Sequence, residues 1–267
     1  MQISTYSINE NYAPCQLTAY VADPGPEMPY NAKRPVVLVC PGGAYYLCSA
    51  REAEPIAMTF YAKGYNVFVL NYVEKAELEY PVHLRELAAS VGFIKDRAEE
   101  FHIDPDRIFL IGFSAGAHLA ASMGVFWNRE DLYEGTPYQR GYFRVAGMML
   151  CYPVITSGEK ANRGSFINLL KERANDPKWL DEVSLEKQVG PDTAPAYIWH
   201  TADDPGVPVE NALYFCEALS AHHVPYELHI YPHGPHGMSL CDKQTGMPDP
   251  YVATWVDEAL HFLENLS

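Results

Sequence analysis

The chain has no apolar run that approaches the roughly 18 residues a membrane-crossing helix requires, so a helical membrane protein is not expected. It is also poor in positive charge. Lys and Arg number 19 against 34 Asp and Glu among 267 residues, a formal net charge of −15. A field of that sign repels phosphate backbones and anionic lipid, so neither a nucleic-acid partner nor a membrane surface is expected, and strongly anionic substrates are disfavoured. Its plainest use is to keep the surface hydrated. The six cysteines (15, 40, 48, 151, 216 and 241) are scattered and include no CxxC pair. In a chain of this length they do not read as a disulfide framework, and Cys40 and Cys151 lie in apolar runs as small buried hydrophobes. The opening stretch "MQISTYSINENYAP" lacks the basic start and apolar core of a secretory signal, which predicts a cytoplasmic location. With no repeat and no low-complexity linker, residues 1–267 read as a single domain.

What is present is an alternation. The runs "VVLVC" (36–40), "NVFVLNY" (66–72), "RIFLIG" (107–112), "VAGMMLC" (145–151), "AYIWH" (196–200) and "YELHIY" (226–231) read as strands. Most are near-continuously apolar, as strands covered on both faces are. Between them lie helical patterns: "REAEPIAMTFYAKG", "VHLRELAASVGFIKDRAEEF", "VENALYFCEALSAH" and the tail "DPYVATWVDEALHFLENL". The earlier "CQLTAYVADPG" reads as an edge strand and turn. This order predicts an α/β fold with a mostly parallel central sheet and helices on both faces. One stretch breaks the rhythm: residues 156–194 are polar, with a short helical piece around "SFINLLKER". An insertion of that length between core strands predicts a lid or wall over a site.

One serine stands where that architecture could use it. "RIFLIGFSAGAHLAAS" places Ser114 after a buried-strand pattern and before a helical one, with Gly112 and Gly116 on either side. A G-x-S-x-G match alone is weak; its strand–turn–helix setting gives it weight. The glycines remove side chains that would collide with the neighbouring strand and helix, and the turn lifts the hydroxyl into the open. The helix that follows then turns its N-terminal N–H groups and positive dipole end toward charge forming beside the serine. A serine hydroxyl needs a base and an acid. "YPHGPHGMS" offers His233 and His236 after one strand, and "WHTADDPGVP" offers Asp203 and Asp204 after another. The glycines of "CPGGAYY", after the strand "VVLVC", allow backbone N–H groups to approach a substrate oxygen. The order Ser, Asp, His along the chain is that of an α/β-hydrolase.

At these residues the sequence resembles the α/β-hydrolase superfamily, within it the small esterases related to hormone-sensitive lipase and to acetyl-xylan or acetyl esterases. The resemblance runs from about residue 33 to the end. It is carried by "CPGGAYY", "REAEPIAMTFYAKGYNVFVLNY", "YPVHLRELAASVGFI", "DPDRIFLIGFSAGAHLAAS" and "PAYIWHTADDPGVPVENALYFCEAL". It implies Ser114 as nucleophile, Asp204 over Asp203 as the acid, and His236 over His233 as the base. The oxyanion donors it implies are the N–H groups of Gly43, Ala44 and Ala115. Two positions depart from the family's H-G-G-G loop: Pro41 replaces its histidine, which often braces the loop, and Ala44 replaces its third glycine, donating its N–H if its φ is negative.

The expected activity is hydrolysis of short-chain carboxylic esters through an acyl-serine. On resemblance, the substrate is a small-molecule acetyl ester of a sugar or xylo-oligosaccharide. The alternative is a peptidase or amidase of the prolyl-oligopeptidase kind, weakened by the lack of a propeller-length extension. A non-catalytic binding protein is disfavoured because serine, acid and base are all present. Tyr45 and Tyr46 are candidate substrate contacts, against ordinary half-buried packing. Arg163 and Ser165 could touch a substrate from the insertion. His118 and His200 read as structural. His229, His233 and His236 lie close in sequence, but His229 is inside a strand and no zinc spacing is present, so no metal and no cofactor are expected. Oligomeric state leaves no mark in the sequence.

Overall fold

The computed structural model describes residues 1–8, 15–29, 32–72 and 78–266. Residues 9–14 of the opening stretch lie outside them. Eight strands form one sheet: β1 (Gln2–Ile8), β2 (Cys15–Val21), β3 (Arg34–Cys40), β4 (Asn66–Asn71), β5 (Ile103–Phe113), β6 (Gly147–Cys151), β7 (Ala196–Thr201) and β8 (Tyr226–Tyr231). Their spatial order is β1-β2-β4-β3-β5-β6-β7-β8. From β4 to β8 every pairing is parallel, while β1–β2 and β2–β4 are antiparallel. Among the described residues seven α-helices are formed: α1 (Glu54–Ala62), α2 (Val82–Asp96), α3 (Ala115–Phe126), α4 (Arg163–Leu170), α5 (Pro177–Glu182), α6 (Glu210–Ala221) and α7 (Trp255–Glu264).

The near-continuous apolar runs are explained by two cores, one on each face of the sheet. Along β3, Val36, Leu38 and Cys40 join the core with α2, α3 and α6, whereas Val37 and Val39 join the core with α1 and α7. In β5, Leu110 and Ile111 divide in the same way. Period-two alternation is present, but both faces are buried, so both sets are apolar. Helix α3 is small-residue rich ("AGAHLAASMGVF") and has only Val125 short of full burial. Those small side chains let it lie close against β5 and β6.

One sequence expectation changes and another gains detail. "CQLTAYV" is not at the edge: β2 is the second strand, because the polar "QISTYSI" of β1 covers it through seven paired residues from Gln2–Val21 to Ile8–Cys15. Strand β1 is largely exposed and has no apolar run to announce it. The 156–194 segment is more ordered than a polar loop. It holds α4 and also α5, which starts on an Asp176 side chain that accepts from Lys178 N with Pro177 in the first turn. Phe166, Leu169, Leu170, Val183 and Leu185 bury themselves in the α2/α3/α6 core. Among the described residues no helix is long and apolar enough to cross a membrane.

The start of that segment is fixed by one buried amide. Asn211 of α6 accepts from Ile155 N (2.9 Å) and Thr156 N (3.0 Å) through Oδ1, and donates through Nδ2 to Lys160 O (3.0 Å) and Pro208 O (2.9 Å). Asn211→Ala leaves two buried N–H groups and two carbonyls without that partner. A loss of about 2–4 kcal/mol is expected; a denaturant midpoint equal to wild type would contradict this role.

Candidate active site

The β5–α3 turn is built by backbone proximity. A Cβ on Gly112 would stand 2.3 Å from Gly116 O, and one on Gly116 would stand 2.1 Å from Cys40 O and 2.4 Å from Pro41 O. No larger residue fits at either position without moving backbone. Between them Ser114 sits at φ 53°, ψ −118°, a conformation that disfavours a residue with a side chain. The surroundings hold it there. Its N–H donates to Cys151 O (3.0 Å), and its carbonyl accepts from Ala117 N (3.1 Å), His118 N (3.2 Å) and Val154 N (3.2 Å).

The loops after β7 and β8 bring an acid and a base to this serine. His236 Nε2 lies 2.7 Å from Ser114 Oγ, and His236 Nδ1 lies 2.7 Å from Asp204 Oδ2. An ionised Asp204 only accepts, so Nδ1 carries the proton and Nε2 is left to accept from the serine hydroxyl. The Asp204 side chain is fully buried, and burial alone would raise its pKa. Hydrogen bonds from His200, His236 and the Val207 amide more than offset that, holding the carboxyl well below the usual range. Oδ1 accepts from Gly206 N (2.7 Å) and Val207 N (2.9 Å), while His200 Nε2 lies 3.4 Å from Oδ2 and donates to Val207 O at 2.9 Å. The neighbouring carboxylate does something else. Asp203 pairs with His233 Nδ1 (2.8 Å) and accepts from Gly234 N (2.9 Å), an exposed clasp between the same two loops. In this geometry the imidazole can take the serine proton as the oxygen attacks, with Asp204 stabilising the cation that forms.

Beside the serine runs the loop after β3. Gly43 has φ 133°, and a Cβ there would meet Leu47 O at 1.9 Å, so only glycine fits. Ala44 adopts φ 54°, not the negative value on which its donor role was conditioned, and Tyr45 follows at φ 57°. The reason is a tight turn in which Tyr46 N and Leu47 N both donate to Gly43 O (2.9 and 3.1 Å). Side chains from elsewhere brace the loop where Pro41 cannot. Tyr72 Oη donates to Pro41 O (2.7 Å), Glu52 Oε2 accepts from Gly42 N (2.8 Å), and Asn168 Nδ2 of α4 donates to Ala44 O (2.8 Å). Among the described residues no acceptor takes the Gly43 or Ala44 amide, and Ala115 N–H, at the first position of α3, has no intrahelical partner.

Residues 26–219 match the BD-FAE family model, nearly three-quarters of the sequence. The chain belongs to the BD-FAE family. It is 37% identical over 218 residues to endo-1,4-beta-xylanase B of Butyrivibrio fibrisolvens, covering 80% of this chain and 34% of that protein. It is 30% identical over 219 residues to the acetylxylan esterase of Xylanibacter ruminicola, covering 80% of this chain and 43% of that one. The chain thus spans less than half the length of these two relatives. Among solved structures, the acetyl ester-xyloside bifunctional hydrolase from Caldicellulosiruptor lactoaceticus superposes with a TM-score of 0.88 at 33% identity, over 98% of this chain and 96% of that one. The fold is that of an α/β-hydrolase.

In this BD-FAE member Tyr45 is not a substrate contact. It is 2% exposed, and its ring is packed in the core. The αL turn directs it inward, where its hydroxyl reaches His118 Nδ1 at 2.8 Å. Tyr46, in contrast, is 64% exposed at the mouth of the loop. Arg163 and Ser165 serve the insertion itself: Arg163 donates to Ala174 O (3.0 Å) and Ser165, 1% exposed, bonds to Asn162 Oδ1 (3.0 Å). Sequence reasoning passed over two residues at this site. Glu52 lies in "REAEP", a stretch quoted for its resemblance alone, and Asn168 gave no signal because its partner is 124 positions away.

His118, expected to be structural, links three parts of the site. Nε2 meets Val183 O at 2.9 Å, which only accepts, so Nε2 carries the proton and Nδ1 accepts from Tyr45 Oη. Burial holds its pKa down to about 4 from the usual 6.5, against a raising effect of the Val183 carbonyl. The unfolded chain therefore binds this proton more readily than the folded one. Its contribution to stability is full above about pH 6.5 and is lost as the pH falls toward 4. That loss is about 3 kcal/mol. His118→Gln should be less stable than wild type at pH 7 yet have a flatter dependence of thermal midpoint on pH across this window; parallel curves would show that His118 does not titrate in this way.

Proposed function

We propose that this protein is a carboxylic ester hydrolase that works through an acyl-serine intermediate on short-chain acyl esters, with acetyl esters of small sugars or xylo-oligosaccharides as the substrate class. The reading rests on the continuous relay Ser114–His236–Asp204, with both contacts at 2.7 Å. Ser114 Oγ attacks the ester carbonyl while His236 Nε2 takes its proton. The same proton then goes to the leaving alcohol, and water, activated by His236, releases the acid. Asp204 holds the imidazole in the required tautomer and balances its charge. The amides of Gly43 and Ala115 receive the oxyanion, each worth roughly 3 kcal/mol in the transition state when well aimed; Ala44, at φ 54°, does not meet the condition set for its donor role. No step calls for a metal or cofactor.

The acetyl and xylan part of the proposal is supported by the relatives' names, one an acetylxylan esterase, one a xylanase, and one an acetyl ester-xyloside hydrolase. Those relatives lend no support to the peptidase alternative. The 156–194 segment acts as a wall, since Asn168 and Asn162 tie it to Ala44 O and to Gly206 O (2.9 Å), on the donor loop and the acid loop. Tyr46, exposed beside the donors, is the remaining candidate for contact with the alcohol part of the substrate.

Hydrolysis of p-nitrophenyl acetate, butyrate and octanoate by wild type and Ser114→Ala tests this reading. Rates should fall with acyl length, and the variant should lose roughly four orders of magnitude or more in kcat. Acetate release from acetylated xylo-oligosaccharides should follow the same dependence on Ser114. Activity that survives in Ser114→Ala would remove the nucleophile assignment, and a preference for octanoate would remove the short-acyl one.

A further inference from the structure

A second buried carboxylate stands behind the relay. Glu52 is 3% exposed, and both its oxygens are engaged by the machinery already described. Oε2 accepts from Gly42 N at 2.8 Å, one residue before Gly43. Oε1 lies 2.6 Å from Tyr152 Oη. Tyr152 Oη also receives the Ser239 amide at 2.9 Å, and an amide N–H can only donate, so the single phenolic proton points to Glu52. Two donors facing two oxygens is the arrangement that suits an ionised carboxylate. The space beside Gly42 that a Cβ would fill is bounded by Glu52 Oε2 at 2.6 Å and by Ser114 Cβ at 3.2 Å. On the other side, the Tyr152 ring packs edge-on against the His236 ring, with centroids 5.1 Å apart and planes at 74°.

We propose that Glu52 is a positioning residue of the ester hydrolase that acts through His236: its carboxylate serves as a buried counter-charge for the imidazolium and holds the donor loop and Tyr152 in place. The inference rests on the Ser114–His236 reading above. A negative charge fixed behind the relay favours the cationic imidazole formed when Ser114 gives up its proton, and at 3% exposure the Glu52 carboxylate is itself weakly screened. The groups around His236 come from four other segments. They are Asp204 after β7, backed by His200; Ser114 after β5; Tyr152 after β6; and Glu52 with its neighbour Arg51 before α1. Arg51 is the opposing charge, its guanidinium 3.4 Å from where a Cβ on Gly237 would lie. The pKa of Glu52 is raised above its ordinary value, because burial outweighs the Tyr152 and Gly42 hydrogen bonds and the charges of His236 and Arg51, which favour the ionised form.

The test is the pH dependence of p-nitrophenyl acetate hydrolysis by wild type, Glu52→Gln, Tyr152→Phe and Ser114→Ala. In Glu52→Gln the acidic limb of kcat/KM should move down by about one pH unit, and kcat should fall roughly tenfold with KM little changed. Tyr152→Phe deletes one oxygen that favours the ionised form of Glu52, and its limb should move the same way by less. A limb at the wild-type pH in Glu52→Gln, or in Tyr152→Phe should Glu52→Gln not fold, overturns the proposal. So does a Glu52→Gln defect confined to KM. An inactive wild type, or an active Ser114→Ala, would instead remove the reading on which it rests, so the two failures are told apart.

Discussion

The arrangement depends on a backbone contact. The first turn of α3 comes so close to β5 and to the end of β3 that the Cβ positions of Gly112 and Gly116 are already occupied by main-chain atoms, among them Gly116 O and Cys40 O. That contact forces the chain to reverse within one residue, and Ser114 takes the strained φ of 53° that the reversal demands. It also sets the N-terminus of α3 beside the loop that leaves β3, where the Gly116 Cβ position would meet Pro41 O at 2.4 Å. The strain is sustained because four hydrogen bonds secure the Ser114 peptide groups and because α3 is buried along almost its whole length. The most strongly packed part of the sheet thus positions the hydroxyl.

The electrostatics of the site differ from those of the surface. A chain with net charge −15 places two carboxylates, Asp204 and Glu52, out of solvent around one histidine. Asp204 is compensated by direct donors, and Glu52 by an amide and a phenol. His118, a few residues beyond Ser114, is kept neutral by burial and works as a linker with a defined tautomer. Each group's charge state follows from which donors and acceptors its fold neighbours present.

The loop after β3 shows how one motif can be replaced by tertiary contacts. Without a histidine at position 41 or a third glycine at 44, its shape is maintained by Tyr72, Glu52, Asn168 and the Tyr45–His118 pair. Two of these anchors lead into the 156–194 segment, through Asn168 itself and through His118 to Val183 O. The 156–194 segment and the loop after β3 are therefore tied together by these contacts.

By itself the sequence was enough for the local and periodic features: buried strands, the helices that follow them, the glycine-flanked serine, and the order Ser, Asp, His. These rest on physics that acts over a few residues, such as side-chain alternation, steric access at a turn, and proline or glycine at helix ends. Even the unpredicted α5 had its signal in Asp176-Pro177. The residues alone left Asp203 against Asp204 and His233 against His236 open, because both pairs sit in the same two loops. Only the folded chain shows that one pair is an exposed clasp and the other meets Ser114. The burial of Tyr45 and the engagement of Glu52 likewise depended on partners 73 and 100 positions away. The pairing of polar β1 with the next strand is local in sequence, but it is held by backbone hydrogen bonds and has no side-chain pattern of its own. Contacts of that kind are decided when the sheet assembles, since sequence spacing carries no record of which loops will meet at its edge.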